Sequence, residues 1–398
     1  RADGIEAVSI VTPNHMHAGP ALAFLKAGIH VICDKPLTTS LKEAKALQAA
    51  AKKSGLIFAV THNYTGYPMV RQARAMVKAG ELGEIRVVQV EYPQDWLAEP
   101  LEKTGQKQAD WRTDPKRSGA GGCIGDIGTH AYNLADFITG LSVDELSAEL
   151  TTFVKGRKLD DNTQILLRYA NGARGSLWAS QVAIGNENNL RIRVYGTKGG
   201  IAWSQENPNY LQVSPIGKPT YTITRSGAGS GPEAGRVSRI PPGHPEGYLE
   251  GFANVYTEVA RAIKAKRAGK KLDKDVEAIK DFYGARGYIE AEVIPERVAN
   301  SQHRQARSRD HRISKDASGY GAERQALQPS QVRLLDAPAI TAGELLRLSL
   351  LPSIPDWPGD MKEEGHRHSM PACHDHLASG RPLGRHQDQL VEEPGAGC

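Results

Sequence analysis

A chain of 398 residues has material for two or three domains with a sizeable core, and so has no need of disulfide or metal staples. Its formal charge of +5 is gathered into no basic patch, which argues against a nucleic-acid partner. The four cysteines (Cys33, Cys123, Cys373, Cys398) lack CxxC spacing, no run approaches the ~18 apolar residues of a membrane span, and no signal peptide opens the chain, so the expected compartment is the reducing cytoplasm.

The first hundred residues alternate apolar runs with helical patterns, the rhythm of βαβ units. Glu6 to Val11 reads as a strand and Ala18 to Ala27 as a helix ended by Gly28. Val31 to Cys33 is the next strand, and Ser40 with Glu43 forms a capping box that starts a helix stopping at Gly55. Leu56 to Thr61 is a third strand, Pro68 opens a helix that ends at Gly80, and Ile85 to Glu91 reads as a fourth strand of the same unit.

After a polar loop and the glycine-rich "SGAGGCIGDIGTH", strands follow one another without helices: Leu146 to Val154, Gln164 to Tyr169, Ser176 to Val182 and Leu190 to Tyr195. Asn171-Gly172 predicts a type I′ hairpin, and the whole predicts a mostly antiparallel sheet. Gly217 to His244 reads as irregular, and a helix follows from about Glu246 to Lys266. Near residue 300 the composition breaks. Residues 1–300 hold 38 basic side chains, 20 of them lysine, whereas 301–398 hold 10 arginines, 2 lysines, 2 of the 24 aromatics and 7 of the 13 histidines. That stretch reads as a disordered extension, a segment outside the ancestral reading frame, or a third domain.

In a doubly wound sheet, ligands bind beyond the carboxyl ends of the strands. Three such ends are polar here: "TPNHMH" (12–17), "DKP" (34–36) and "THNY" (61–64). Each alone is also what an ordinary βα turn looks like. Lys35 is the least ordinary, since Pro36 restricts the backbone that carries it, and an ammonium aimed at the crevice can stabilise a developing alkoxide. Asp126 and His130 are four apart and would share a face of a helix starting near Asp126. His130 could then accept a proton and Asp126 orient it; the alternative is a helix cap and a structural histidine. His15 with His17, or His130 with Asp136, lacks a third metal ligand, while His366, His368, His374 and His376 resemble a metal tract within the anomalous C-terminal region. "GAGGCIG" is not the dinucleotide fingerprint.

Taken in order, "TPNHMH", "DKP", "GELGEI" (80–85) and "GGCIGDIGTH" resemble the Gfo/Idh/MocA oxidoreductases, over about residues 3–275, with "ARGYIEAEV" (285–293) similar to that family's closing helix. The resemblance implies a Rossmann parallel sheet, residues 1–97, followed over 98–276 by a substrate and oligomerisation domain with a large open, mostly antiparallel sheet. Residues 277–398 would be a closing-helix remnant and then a disordered or out-of-frame tail. It implies NAD or NADP as cofactor, with Thr12, Pro13, Asn14, His17, Asp34, Lys35 and Asn63 at its nicotinamide end. Lys35, Asp126 and His130 would be catalytic, and Trp111, Arg112, Asp126, His130 and His244 would bind a sugar or polyol. A homo-oligomer and no membrane partner are also implied. The family's first strand, its GxGxxG turn and its ribose-reading residue would precede residue 1, so the chain is expected to be N-terminally truncated. A non-catalytic sugar-binding or regulatory relative is the other expectation.

Overall fold

In a computed structural model of the protein, residues 4–270 together with 340 and 341 are described, and all fall within one compact unit, Arg1–Pro352. Expectations for the rest of 277–398, among them the similarity at 285–293 and the histidines at 366–376, lie outside the described residues.

Three short parallel strands come first: β1 (Ala7–Ile10), β2 (His30–Cys33) and β3 (Phe58–Val60), in that spatial order. Helices α1 (Ala18–Lys26) and α2 (Leu41–Ser54) cover one face of this sheet. Ile10, Val31 and Cys33 pack there with Ala21, Leu25 and Leu47. Ser40 caps α2 by accepting from Glu43 N at 3.2 Å, the first half of a capping box, while its hydroxyl rather than its backbone N–H donates to Glu43 Oε2 at 3.0 Å. The opposite face receives α8 (Tyr248–Arg267), whose Val259 and Ile263 pack on Ile32 and Ala59. Every residue of β2 is therefore buried, and Val31 to Cys33 are apolar without alternation.

Helix α3 (Pro68–Lys78) then leads into β4 (Ile85–Pro93), which does not close the parallel sheet. Expected as a fourth strand of the first unit, β4 instead sits inside a second, large sheet, parallel to β7 (Arg174–Ser180) and antiparallel to β8 (Arg191–Gly196). Its burial alternates, with Val88, Val90 and Tyr92 inward and Val87, Gln89 and Glu91 outward, the pattern of a strand covered on one face only. Short helices α4 (Lys107–Arg112) and α5 (Pro115–Ser118) and a π-helical turn, Ile124–Gly128, precede α6 (Thr129–Thr139).

The remaining strands are β5 (Val143–Thr151), β6 (Asn162–Tyr169), β9 (Gly199–Ser204), β10 (Tyr210–Pro215) and β11 (Tyr221–Thr224). Their order is β11-β10-β9-β8-β4-β7-β6-β5, with the two-residue β12 (Ile340–Thr341) beside β5. All neighbours but β4 and β7 run antiparallel. The inner face carries the main core, where Val90, Ile165, Leu177 and Ile192 meet Met69 of α3 and Leu134 and Ile138 of α6.

Two local readings change. Gly217 to His244 is not irregular throughout, since β11 and helix α7 (Pro232–Gly235) lie in it. The β6–β7 hairpin exists, but its turn is not type I′, which needs positive φ at both central residues. Only Gly172 has it (φ 89°); Tyr169 O accepts from Gly172 N at 2.8 Å and Tyr169 N donates to Ala173 O at 3.0 Å, giving a three-residue loop with a bulge.

Candidate active site

The carboxyl ends of β1, β2 and β3 are tied together by their own side chains. His17, fully buried, sets Nε2 2.7 Å from Thr12 O and Nδ1 2.9 Å from Pro36 O, so it bridges the turns after β1 and β2. Asp34 Oδ1 accepts from Lys35 N at 2.9 Å and from Thr61 Oγ1 at 2.5 Å, which joins β2 to β3. Asn14 donates to Ser118 O at 3.0 Å and so attaches the first turn to α5, while Pro13 precedes a 3₁₀ turn at Asn14–Met16. Asn63 is buried at the end of β3, and its Nδ2 has no hydrogen-bond partner among the described residues.

Lys35 reaches out of this frame to the glycine-rich segment. Its Nζ donates to Asp126 Oδ1 at 2.9 Å and to Asp126 O at 2.6 Å, across 91 residues of sequence. The other carboxylate oxygen, Oδ2, accepts from Gln181 Nε2 at 2.9 Å and lies 3.3 Å from Arg112 Nε. Burial works to raise the Asp126 pKa, but Lys35, Arg112 and the Gln181 hydrogen bond outweigh it and hold the carboxyl at about 2. The arrangement is an ionised carboxylate fixing an ammonium at a strand end.

The turn that carries Asp126 is held from below by Asp160. Its carboxylate accepts from Gly122 N at 2.6 Å and Ile124 N at 2.8 Å, a negative charge on free amides at the start of a helical segment. Here the glycine run shows its purpose: a Cβ on Gly122 would lie 2.0 Å from Asp160 O and 2.9 Å from Leu159 Cβ. Gly122→Ala is therefore expected to destabilise the protein by about 3 kcal/mol, read as a lower urea midpoint, because backbone rather than a flexible side chain must yield.

His130 lies in the first turn of α6, 7 % exposed, with its buried Nδ1 unpartnered among the described residues. Edge-on rings surround it: Tyr64 at 4.8 Å, His62 at 5.6 Å and Tyr92 at 6.1 Å between centroids. Burial, the Lys35 charge and His62 push its pKa well below 6.5, so the ring is neutral at neutral pH. Tyr64 and Tyr92 hydroxyls are 2.5 Å apart, and Tyr92 donates to Asn188 Oδ1 at 2.6 Å. The Arg112 guanidinium stacks 4.2 Å from the Trp111 ring centroid and 5.9 Å from that of Trp96.

Of the residues singled out from sequence, Lys35, Asp126 and Arg112 meet directly, and His130 sits within the field of Lys35. Trp111 joins them through its stack with Arg112. His244 is exposed, and no hydrogen bond, ion pair or ring contact joins it to that cluster among the described residues; its carbonyl accepts from Arg225. Gln181, Asp160, Tyr92 and Asn188 carry no spacing signal and enter only through the fold, whereas Tyr64 ends the polar "THNY" run.

The profile described as "Oxidoreductase family, NAD-binding Rossmann fold" matches residues 1–62, and "GFO/IDH/MocA C-terminal domain" matches 70–202. Oxidoreductase YfiI of Bacillus subtilis is 37% identical over 268 residues, 67% of this chain and 68% of its own. The chain belongs to the Gfo/Idh/MocA oxidoreductases. An oxidoreductase of Sinorhizobium meliloti is 54% identical over 71% of this chain and 75% of its own, with a TM-score of 0.62. An inositol dehydrogenase homologue of Azotobacter vinelandii, solved with NADH and myo-inositol, is 34% identical over 72% and 78%, with a TM-score of 0.63. A further profile, "Surface antigen variable number repeat", matches residues 268–311, nearly all outside the described part. Within the Gfo/Idh/MocA frame, residues 4–60 supply the NAD-binding parallel sheet, and Lys35 with Asp126 spans from that sheet to the C-terminal domain of the family.

Proposed function

We propose that this protein transfers a hydride between nicotinamide and a hydroxyl- or keto-bearing carbon of a sugar or polyol, with Lys35, Asp126 and His130 as the catalytic residues. The observation that carries the reading is Lys35 clamped by Asp126 beside a neutral His130. The side chains present fit the nicotinamide end of NAD or NADP. Asn63 offers a buried amide donor without a partner at the end of β3, and Thr12, Pro13, Asn14, His17 and Asp34 set the turns around it. Bound nicotinamide supplies the hydride acceptor or donor at its ring C4.

The chain supplies the rest. In the oxidative direction the neutral imidazole of His130 takes the hydroxyl proton, and the Lys35 ammonium stabilises the negative charge that builds on the oxygen. Asp126 keeps Lys35 aimed, while Gln181 and Arg112 keep Asp126 aimed. Trp111 and Arg112 present a stacked planar surface to the sugar ring. His244 would touch substrate only at its outer end.

Appearance of NADH or NADPH across a panel of hexoses and inositols, with ligand binding followed in parallel, tests this. Turnover that depends on His130 is the expected result. Sugar binding without turnover would leave the non-catalytic sugar-binding relative instead.

No helix among the described residues is long and apolar enough to cross a membrane. We place the protein in the cytoplasm, where Cys33 and Cys123, both buried and unpaired, would stay thiols; cell fractionation checks it. A homo-oligomer through the open sheet face is supported by Val87, Leu166 and Tyr195, all exposed on that face. Sedimentation velocity showing only monomer would remove it.

A further inference from the structure

The start of α8 is fixed by its neighbours. Gly247 N donates to Glu250 Oε2 at 2.8 Å, and the Asn209 side chain accepts from Glu246 N at 3.2 Å while donating to Glu246 O at 2.9 Å. The first turns of the helix then lie against the turn that carries Asn63 and Tyr64. A Cβ on Gly66 would be 2.2 Å from Gly251 O, one on Gly251 would be 3.0 Å from Asn63 O, and Asn254 donates to Gly66 O at 2.9 Å. Tyr248 stands one turn before Gly251 on the same helix face. We infer that Tyr248 belongs to the candidate active site, where its hydroxyl hydrogen-bonds a hydroxyl of the substrate and so selects among sugars and polyols. The inference rests on the function proposed above and adds a specificity-determining residue to that same site.

Three observations carry it. First, the hydroxyl is aimed at the cluster. It lies within the fields of Asp34, Arg112 and Asp126, the groups that surround Lys35. It acts in turn on Tyr64 and Tyr92, whose rings stand edge-on to His130. Charges on the Lys35 side and hydroxyls on the His130 side therefore both reach it.

Second, it is available. Tyr248 is 53 % exposed, and its hydroxyl makes no hydrogen bond among the described residues. The hydroxyls of Tyr64, Tyr67 and Tyr92, by contrast, are engaged with one another or with Asn188 and Gln205. The Tyr248 ring packs edge-on against Phe252, with centroids 5.2 Å apart. A ring already placed, with an open tip, loses little freedom when a ligand arrives.

Third, the chemistry suits a hydroxyl partner. Burial, then Asp34 and Asp126 acting against Arg112, raise its pKa above 10. The group thus stays a phenol, with one O–H to donate and lone pairs that accept. A sugar or polyol hydroxyl has the same two capacities, whereas an apolar substituent has neither.

Tyr248→Phe deletes one exposed hydroxyl and keeps the ring, so it spares the fold. Toward a hexose or inositol that the native chain oxidises, KM should rise three- to tenfold with kcat within twofold, the mark of a contact present in ground state and transition state alike. Among the singly deoxygenated forms of that substrate, one should show the same KM with either protein, because the hydroxyl that Tyr248 holds is already gone. NADH affinity, followed by fluorescence, should not change. An unmoved KM, or a rise of equal size toward every deoxy form, overturns the role of Tyr248 while leaving hydride transfer intact. Weakened NADH affinity with KM unchanged overturns it too, since the contact would then be with cofactor. If no sugar is turned over, the proposed function fails, and calorimetric affinities for the same panel decide. A loss confined to ligands that carry one particular hydroxyl supports the contact; uniform loss, no loss or no binding overturns it.

Discussion

Lys35→Met is expected to lower kcat by about 10²- to 10³-fold, the loss typical of one donor removed from a developing oxyanion. Methionine keeps the length of the side chain and deletes the ammonium that Asp126 O and Oδ1 now accept from. The same substitution should move two titrations. Burial and Lys35 are the two largest causes depressing His130, so without the ammonium His130 titrates higher and the acid limb of kcat/KM shifts to higher pH. For Asp126, burial already favours the neutral acid, and losing Lys35 removes the main force holding the carboxyl at about 2. An Asp126 pKa depressed from 3.8 contributes stability that is present above about pH 4 and lost as pH falls toward 2. In Lys35→Met that acid-dependent part shrinks, which urea titrations at several pH values would read. A variant with full kcat and an unmoved pH profile would remove Lys35 from the chemistry.

Why Lys35 was legible in the sequence and its supports were not follows from how each is placed. Lys35 sits directly after a strand whose four residues are all buried, so the chain itself announces a strand end facing a crevice. Asp126 and His130 are close enough in sequence for a helical spacing argument, although the local backbone is a π-helical turn running into α6 rather than one regular helix. Gln181 and Asn188 reach the site from the end of β7 and the loop after it, and only sheet register puts them there. No short-range pattern encodes register between strands far apart in the chain.

Strand β4 makes the complementary point, since there the signal was present and points the other way. Helix α3 followed by an apolar run looks like another βα crossover, which is why Ile85 to Glu91 reads as part of the parallel unit. Yet "VVQVEY" alternates where "HVIC" does not, and alternation marks a strand with one solvated face. The hairpin at Asn171-Gly172 failed for a subtler reason. The dipeptide suits two turn families, and the single positive φ at Gly172 selects the bulged one. The clustered glycines before Asp126 permit close backbone approach, but the partner, Asp160, lies 38 residues beyond Gly122.

His130→Asn is expected to reduce kcat and kcat/KM together by about 10²- to 10⁴-fold, with KM little changed, because a base acts only as the transition state forms. Its acid limb should disappear from the pH profile, whereas NADH binding, followed by fluorescence, should not change. The depressed pKa has a cost: a base that titrates well below 6.5 is a weak one for an alcohol proton. Lys35 resolves the mismatch, since the charge that weakens His130 also stabilises the alkoxide and so acidifies the hydroxyl. The two residues then act as a unit, and the double variant Lys35→Met/His130→Asn should lose far less than the product of the single losses. Fully multiplicative losses would mean that the two act independently, and the coupling through Lys35 would have to be abandoned.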